Sequence, residues 1–236
     1  MKISIITTTY NHQKYIIDCI KSVELLRLEP LQAEIEHIIY DDASTDDTHK
    51  FFEGIHRPNL IYIRGATNKG PAFGRNAAIK KSSGDYIFVL DSDDVILQRT
   101  IYNFITAALQ RPNTKWFISN FLRVDKNLKY IFGEDYYGWH FKSKASLLNA
   151  IFNGEHYIQH NAFFKRELFI AAGGYAESMR VAEDIDLFVR FILYRATPTY
   201  LNFTSHLHRV HGRNLSKNID KAAHKSHAES IREKYK

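Results

Sequence analysis

Cysteine is almost missing from this chain of 236 residues: Cys19 stands alone. One thiol excludes an internal disulfide framework and fits a reducing compartment. Its place within a helical pattern predicts a buried structural thiol. No apolar run reaches the length of a membrane span, and there is no internal repeat or low-complexity segment. The start, Met1-Lys2-Ile3-Ser4, enters a strand-like run at once and leaves no room for a signal peptide, so the reading expects a cytoplasmic protein. No recognised nucleic-acid-binding module accompanies the net charge of +6, so nucleic acid is not an expected partner.

With 44% hydrophobic and 25% charged residues, the composition is that of an ordinary globular protein long enough to bury a real core. The positive balance favours anionic partners such as nucleotides or phosphorylated lipids. Much of it sits in a basic tail, residues 217–236, with Lys217, Lys221, Lys225, Arg232, Lys234 and Lys236. A thin apolar stripe makes that tail a solvated helix, with peripheral contact at an anionic inner membrane face as the other use of its charge.

Tyr86–Leu90 is a continuous apolar run, as in a strand buried on both faces, and Asp91, Asp93 and Asp94 crowd its carboxyl end. Carboxylates this close repel unless a cation or hydrogen-bond donors sit among them. Hard oxygen ligands suit Mg2+ or Mn2+, while a polar turn capping the next helix is the plainer use of the same residues.

Strands are predicted at Lys2–Thr9, Glu36–Tyr40 and Leu60–Arg64, with helices over Tyr15–Leu26 and about Asp46–Gly54, the second capped by Ser44 or Thr45. Gly65–Arg75 reads as a glycine-rich loop before a short helix at Asn76–Ser82, and a further helix covers about Leu97–Gln110. The second half reads as strands at Trp116–Val124, Ala162–Phe164 and Thr199–Val210. Helices lie between them at Ser143–Phe152, Arg166–Ala171 (closed by Gly173-Gly174) and Glu183–Tyr194. This alternation predicts an α/β fold with a mostly parallel sheet flanked by helices and an irregular C-terminal half. Thr7–Tyr10, Asp41-Asp42 and Asp91–Asp94 each follow a strand, and open α/β sheets bind ligands at that edge.

Thr7-Thr8-Thr9-Tyr10-Asn11, Asp41-Asp42-Ala43-Ser44-Thr45-Asp46, Asn68-Lys69-Gly70 with Arg75-Asn76, Gly84-Asp85-Tyr86-Ile87 leading into Asp91-Ser92-Asp93-Asp94, Gly173-Gly174-Tyr175 and Glu183-Asp184 follow one another in order. Together they resemble glycosyltransferase family 2, inverting enzymes with the GT-A fold, over roughly Ser4 to Ser216. The resemblance implies one GT-A domain over residues 1–216, with a nucleotide-sugar half at 1–111 and an acceptor-side half at 112–216. It implies sugar transfer from a nucleotide-diphosphate donor, most often UDP-linked, with Mn2+ or Mg2+. The acceptor would be a hydroxyl of a glycan or lipid-linked glycan in surface polysaccharide assembly.

By the same resemblance Thr9, Tyr10 and Asp41 hold base and ribose, and Arg75 approaches the nucleotide. Asp91 faces the ribose, Asp93 binds the metal, and Asp94 supports them or approaches the sugar. Asp184 is the catalytic base, with Glu183 positioning it or the acceptor, although acidic residues also belong at helix N-termini. Arg209, His211 and Ser216 resemble an Arg-x-His…Ser element that closes over the diphosphate, with His211 completing the metal shell. His160 falls where acceptor-side residues belong, and His12 carries no assigned role. The alternatives are a nucleotidyltransferase of similar sheet, which would favour a glycine- and basic-rich loop after the first strand, and a non-catalytic nucleotide-sugar-binding protein.

Overall fold

β-Branched residues dominate Lys2–Thr9, and they form strand β1 within an eight-stranded sheet. The computed structural model describes residues 1–55, 57–133, 138–156, 158–214 and 221–235. After β1 come α1 (Ile16–Glu24), β2 (Glu34–Asp41), α2 (Thr48–Phe52), β3 (Leu60–Arg64), α3 (Pro71–Lys81) and β4 (Tyr86–Val89). These strands lie in the order β3-β2-β1-β4 with every pairing parallel, as the strand–helix alternation predicts.

Beyond β4 the sheet is mixed. The chain continues through β5 (Val95–Ile96), α4 (Thr100–Gln110), β6 (Trp116–Asp125), α5 (Lys144–Asn153), β7 (Phe163–Lys165), α6 (Arg166–Ala171), α7 (Glu183–Leu193), β8 (Thr199–Val210) and α8 (Lys221–Lys234). β7 inserts antiparallel between β4 and β6, β8 runs parallel to β6, and β5 closes the edge antiparallel to β8. One sheet therefore spans both halves of the chain.

Each central strand is buried on two faces, which is why it reads as an unbroken apolar run. Ile6, Ile87 and Val89 face one core with Trp116, Phe164, Leu187 and Phe188. Ile3, Ile5, Phe88 and Leu90 face the other with Cys19, Phe104 and Phe163. There the Phe163 ring stacks on Tyr86 at 4.7 Å and on Phe104 at 5.0 Å. Cys19 is buried as predicted, and burial raises its thiol far above the ordinary range, so it is an inert apolar group.

Two local readings are corrected. The supposed glycine loop ends at Gly70, whose φ of +94° breaks the chain before a helix that starts at Pro71. Proline's fixed φ suits the first helical position, so α3 is longer than its glycines suggest and Arg75 lies on it rather than in a loop. Gly74 permits this packing, since a Cβ there would meet Thr8 Cγ2 at 2.8 Å. The N-cap of α2 is Asp47, which makes no side-chain cap bond; Asp46, one residue earlier, accepts the Thr48 N–H at 3.0 Å through Oδ1, and Ser44 Oγ accepts the Asn11 N–H at 2.9 Å.

The expected solvated tail is a helix, but its far end is anchored. Ile231 is 2% exposed within the core that α5 and α7 line. Lys234 Nζ and the Tyr235 hydroxyl donate to Asp186 Oδ1 at 2.8 and 2.9 Å. Arg190 grips Asp186 Oδ2 and donates onward to the carbonyls of Ala172 and Gly174. Asp186, fully buried, thus ties α7 to both the Gly173-Gly174 turn and the chain's last helix. No helix among the described residues is long and apolar enough to cross a membrane.

At the opposite edge from the aspartates, Glu36 links β2 to the start of β1 and the turn before β4. It accepts from Ser4 Oγ at 2.6 Å, the Gly84 N–H at 3.1 Å and Lys2 Nζ at 2.8 Å. Burial alone would raise this carboxyl, but the Lys2 ammonium and the Ser4 and Ser83 donors outweigh it and hold it down to about 2. A depressed folded pKa stabilises above the ordinary 4.5 and loses that contribution as pH falls toward 2. Urea melts of wild type and Glu36→Gln should therefore show a smaller acid-limb loss between pH 4.5 and 2 in the variant, the remainder coming from other depressed carboxyls such as Asp91 and Asp186. Asp186→Ala, which leaves Arg190 without its carboxylate, should cost about 3–5 kcal/mol in the same melts.

Candidate active site

The apolar run of β4 ends at Leu90, and the four residues after it form a tight turn in which the Asp94 N–H donates to the Asp91 carbonyl at 3.1 Å. β5 begins at the next residue and pairs with β8, Val95 opposite Leu207 and Ile96 opposite His206. That two-residue ladder brings the end of β8 onto the aspartates. The Arg209 N–H donates to Asp94 Oδ1 at 2.9 Å, and His208 Nδ1 stands 3.5 Å from Asp94 Oδ2. Just past the strand, His211 Nε2 lies 2.8 Å from Asp93 Oδ2, which also accepts from Asn214 Nδ2 at 3.1 Å.

Asp91 is met from the other side. Arg75 Nη2 reaches its Oδ1 at 3.1 Å, while Nη1 of the same guanidinium donates to Glu183 Oε1. His160 Nε2 is 2.9 Å from Asp91 Oδ2, an ion pair without hydrogen-bond alignment. One buried arginine on α3 therefore joins the aspartate turn to the first residue of α7. Its neighbour Asn76 staples α3 to the segment leading into α7, donating to the Tyr175 carbonyl and accepting the Tyr175 N–H, each at 2.9 Å.

The charges settle according to these partners. Burial would raise Asp91, but His160 and Arg75 outweigh it and hold the carboxyl far below the usual range. His160 loses charge stability through burial and regains more from Asp91, so its pKa rises to about 9 and it is cationic at neutral pH. Asp94, 1% exposed, is raised by burial against the pull of His208, with Asp93 and Asp91 adding repulsion. Burial also raises Glu183, with Arg75 pulling the other way. Asp184 is partly exposed; its Oδ1 accepts the Ile185 N–H at 2.8 Å, and its charge is felt at both Arg75 and His160.

Among the described residues two groups offer atoms for a divalent ion: His12, Asp93 and His211, and Asp91, Asp94 and His160, with the ligand atoms of each group within 4.8 Å of one another. The second fits poorly, because a protonated imidazole is no ligand and Asp91 already has Arg75. The first fits well, with a carboxylate and imidazoles on one spot.

Of the residues singled out in the sequence, Asp91, Asp93, Asp94, Arg75, Glu183 and His211 meet in one network. Thr9 and Asp41 lie opposite each other in the β1–β2 register. Thr9 Oγ1 is buried without a partner, and Tyr10 is 43% exposed beside it. Asp41 is fully buried and already accepts the Ser44 N–H at 2.8 Å and the Tyr62 hydroxyl at 2.6 Å. Asp42 holds the loop before α3, accepting the Lys69 and Gly70 N–H groups at 2.8 and 2.7 Å.

Arg209 is engaged within the protein. Its guanidinium donates to the carbonyls of Asp93 and Lys126 and to Asp18 Oδ2, and it lies over the Tyr15 ring. With its side chain 3% exposed, it ties the aspartate turn to α1 through Asp18. Ser216 lies outside the described residues. His12 went unassigned although it follows Tyr10 at the same strand end, and that placement was the available signal.

The architecture is a GT-A fold, with acidic residues gathered at the carboxyl ends of its parallel strands. The Glycosyl transferase family 2 model matches residues 4–173, well over half of the chain, and the chain belongs to that family. Among curated proteins it is similar to the poly(ribitol-phosphate) beta-N-acetylglucosaminyltransferase TarS of Staphylococcus aureus, 37% identical over 103 residues (43% of this chain, 18% of that protein). It is also similar to the UDP-Glc:alpha-D-GlcNAc-diphosphoundecaprenol beta-1,3-glucosyltransferase WfaP of Escherichia coli, 39% identical over 103 residues (44% and 39%). The matched region spans less than half of either relative.

Among solved structures, S. aureus TarS 1–349 in complex with UDP-GlcNAc superposes with a TM-score of 0.70 at 21% identity, covering 98% of this chain and 70% of that one. The mannosyltransferase PcManGT of Pyrobaculum calidifontis, in complex with GDP-Man and Mn2+, gives 0.67 at 18% identity, covering 98% and 64%. At these identities the likeness establishes the fold.

The His160–Asp91 pair has a testable titration. A raised folded pKa stabilises fully below the ordinary 6.5 and is lost as pH rises through about 9. NMR titration of His160 should give a value near 9 in wild type and a clear fall in Asp91→Asn.

Proposed function

We propose that this chain transfers a sugar, with inversion, from a nucleotide-diphosphate donor to a hydroxyl of a glycan or lipid-linked glycan acceptor in surface polysaccharide assembly. The donor is a UDP-sugar, in keeping with the UDP-GlcNAc and UDP-Glc in the names of its relatives. The observation that carries the reading is Arg75, which bonds both the Asp91 of the aspartate turn and the Glu183 beside Asp184. A donor-binding rim and a candidate base thereby belong to one site.

In this reading Tyr10 stacks on the base, Thr9 Oγ1 gains the partner it lacks, and Asp41 and Asp91 hold base and ribose. Asp93 and His211 would hold the Mn2+ or Mg2+, which would supply charge neutralisation at the diphosphate leaving group. Asp94 supports that turn. Glu183, buried against Arg75, positions its neighbour; Asp184 keeps a partly exposed carboxylate and takes the acceptor's proton as the hydroxyl adds to the anomeric carbon. Residues 1–111 form the donor half and 112–216 the acceptor half.

The test is product formation across a panel of nucleotide sugars with Mn2+. The correct donor should raise the melting temperature of wild type and Asp184→Asn alike. Asp184→Asn should lose roughly 10²–10⁴-fold in turnover, the usual weight of a general base. Full activity in Asp184→Asn would remove the base assignment. Donor binding without product in wild type would favour a non-catalytic binding protein, and nucleotide exchange without sugar transfer a nucleotidyltransferase.

A further inference from the structure

We infer that His12 is a third protein ligand to the divalent ion assigned to Asp93 and His211, and that the resulting set favours Mn2+ over Mg2+. The inference rests on the metal reading of that site.

His12 sits just beyond β1, and its Nδ1 lies 2.7 Å from Ser92 Oγ. Ser92 lies between Asp91 and Asp93 in the turn, and it is 1% exposed. A buried hydroxyl on Nδ1 orients the ring and, when Nδ1–H donates to it, leaves the lone pair on Nε2, as an outer partner does for a metal-bound histidine. The His12 and His211 rings stand edge to face with centroids 5.7 Å apart, so two nitrogens and Asp93 converge on one spot. His211 is held in turn by Tyr15, stacked on it at 4.5 Å.

The site is closed by that hydrogen bonding. His211 Nδ1 accepts the Arg213 N–H at 3.1 Å, so in the neutral ring Nε2 carries the proton and donates it to Asp93. With Nε2 given to an ion, the neutral ring would carry its proton on Nδ1, which could then no longer accept from the Arg213 N–H. Two imidazoles and one carboxylate are an acceptable set for Mn2+. They are poor for Mg2+, which prefers oxygen ligands in a strict octahedron.

The experiment titrates Mn2+ alone into wild type, His12→Gln, Ser92→Ala and Asp93→Asn, following free Mn2+ by electron paramagnetic resonance and counting bound nitrogens by electron spin-echo modulation. Wild type should show two coordinated nitrogens. His12→Gln should show one, with affinity at least roughly tenfold lower and Mg2+ competing better against Mn2+. Ser92→Ala should weaken binding while keeping both nitrogens, which tests the geometry even if His12→Gln folds poorly. One nitrogen in wild type, with unchanged affinity in His12→Gln, overturns the His12 assignment and leaves the metal reading standing. No Mn2+ bound by wild type, or binding untouched by Asp93→Asn, overturns both.

Discussion

Crowded negative charge is the constraint on which this structure turns. Asp91, Asp93, Asp94 and Glu183 gather in one buried or half-buried region, and such a set repels itself unless each member is met. Each is met differently. Asp91 has two cations, Arg75 and His160. Asp93 has an imidazole and an amide, Asp94 a backbone N–H and a more distant imidazole, and Glu183 one end of the guanidinium that serves Asp91. The result is a graded set: Asp91 held ionised, Asp94 and Glu183 biased toward protonation by burial.

Those partners come from distant parts of the chain, and the short ladder between β5 and β8 is what delivers half of them. β6 already registers the end of β8, with Arg209 opposite Val124, and the pairing of Val95 and Ile96 to Leu207 and His206 ties that end to the aspartate turn. Arg209 then reinforces the same junction through the Asp93 carbonyl and Asp18. The other half depends on α3, which carries Arg75 inward on one residue and Asn76 onto the approach to α7 on the next. Two adjacent residues of one helix thus serve charge and placement separately.

The parallel half of the fold was legible because burial on both faces leaves unbroken apolar strands, each closed by a polar cluster. β5 was not, since two residues carry no period and its partner lies a hundred positions away. α3 was read late because glycines at 65, 70 and 74 look like loop, whereas Gly74 is there for close approach to Thr8 and only Gly70 breaks the chain. The aspartates and Glu183-Asp184 were found through an ordered set of motifs. Arg75 and His211 came with those motifs, but their pairing with the carboxylates did not, and an isolated histidine such as His12 or His160 shows its meaning only when the fold supplies a neighbour. The partners of Arg209 were hidden for the complementary reason: its place near His211 in sequence does not say that its side chain meets Asp18 and the Asp93 carbonyl.

The last helix follows the same logic at the far side of α7. A basic stretch with a thin apolar stripe reads as solvated, and Ile231 alone would be too little to dock it. Asp186 changes the balance, because a fully buried carboxylate needs several donors and Arg190 supplies bonds to one oxygen only. Lys234 and Tyr235 serve the other. The helix that begins with Glu183-Asp184 is therefore held at its outer face by the end of the chain and at its inner face by Arg75. A side chain positioned from both sides, as at the start of α7, needs less of its alignment to come from a bound ligand.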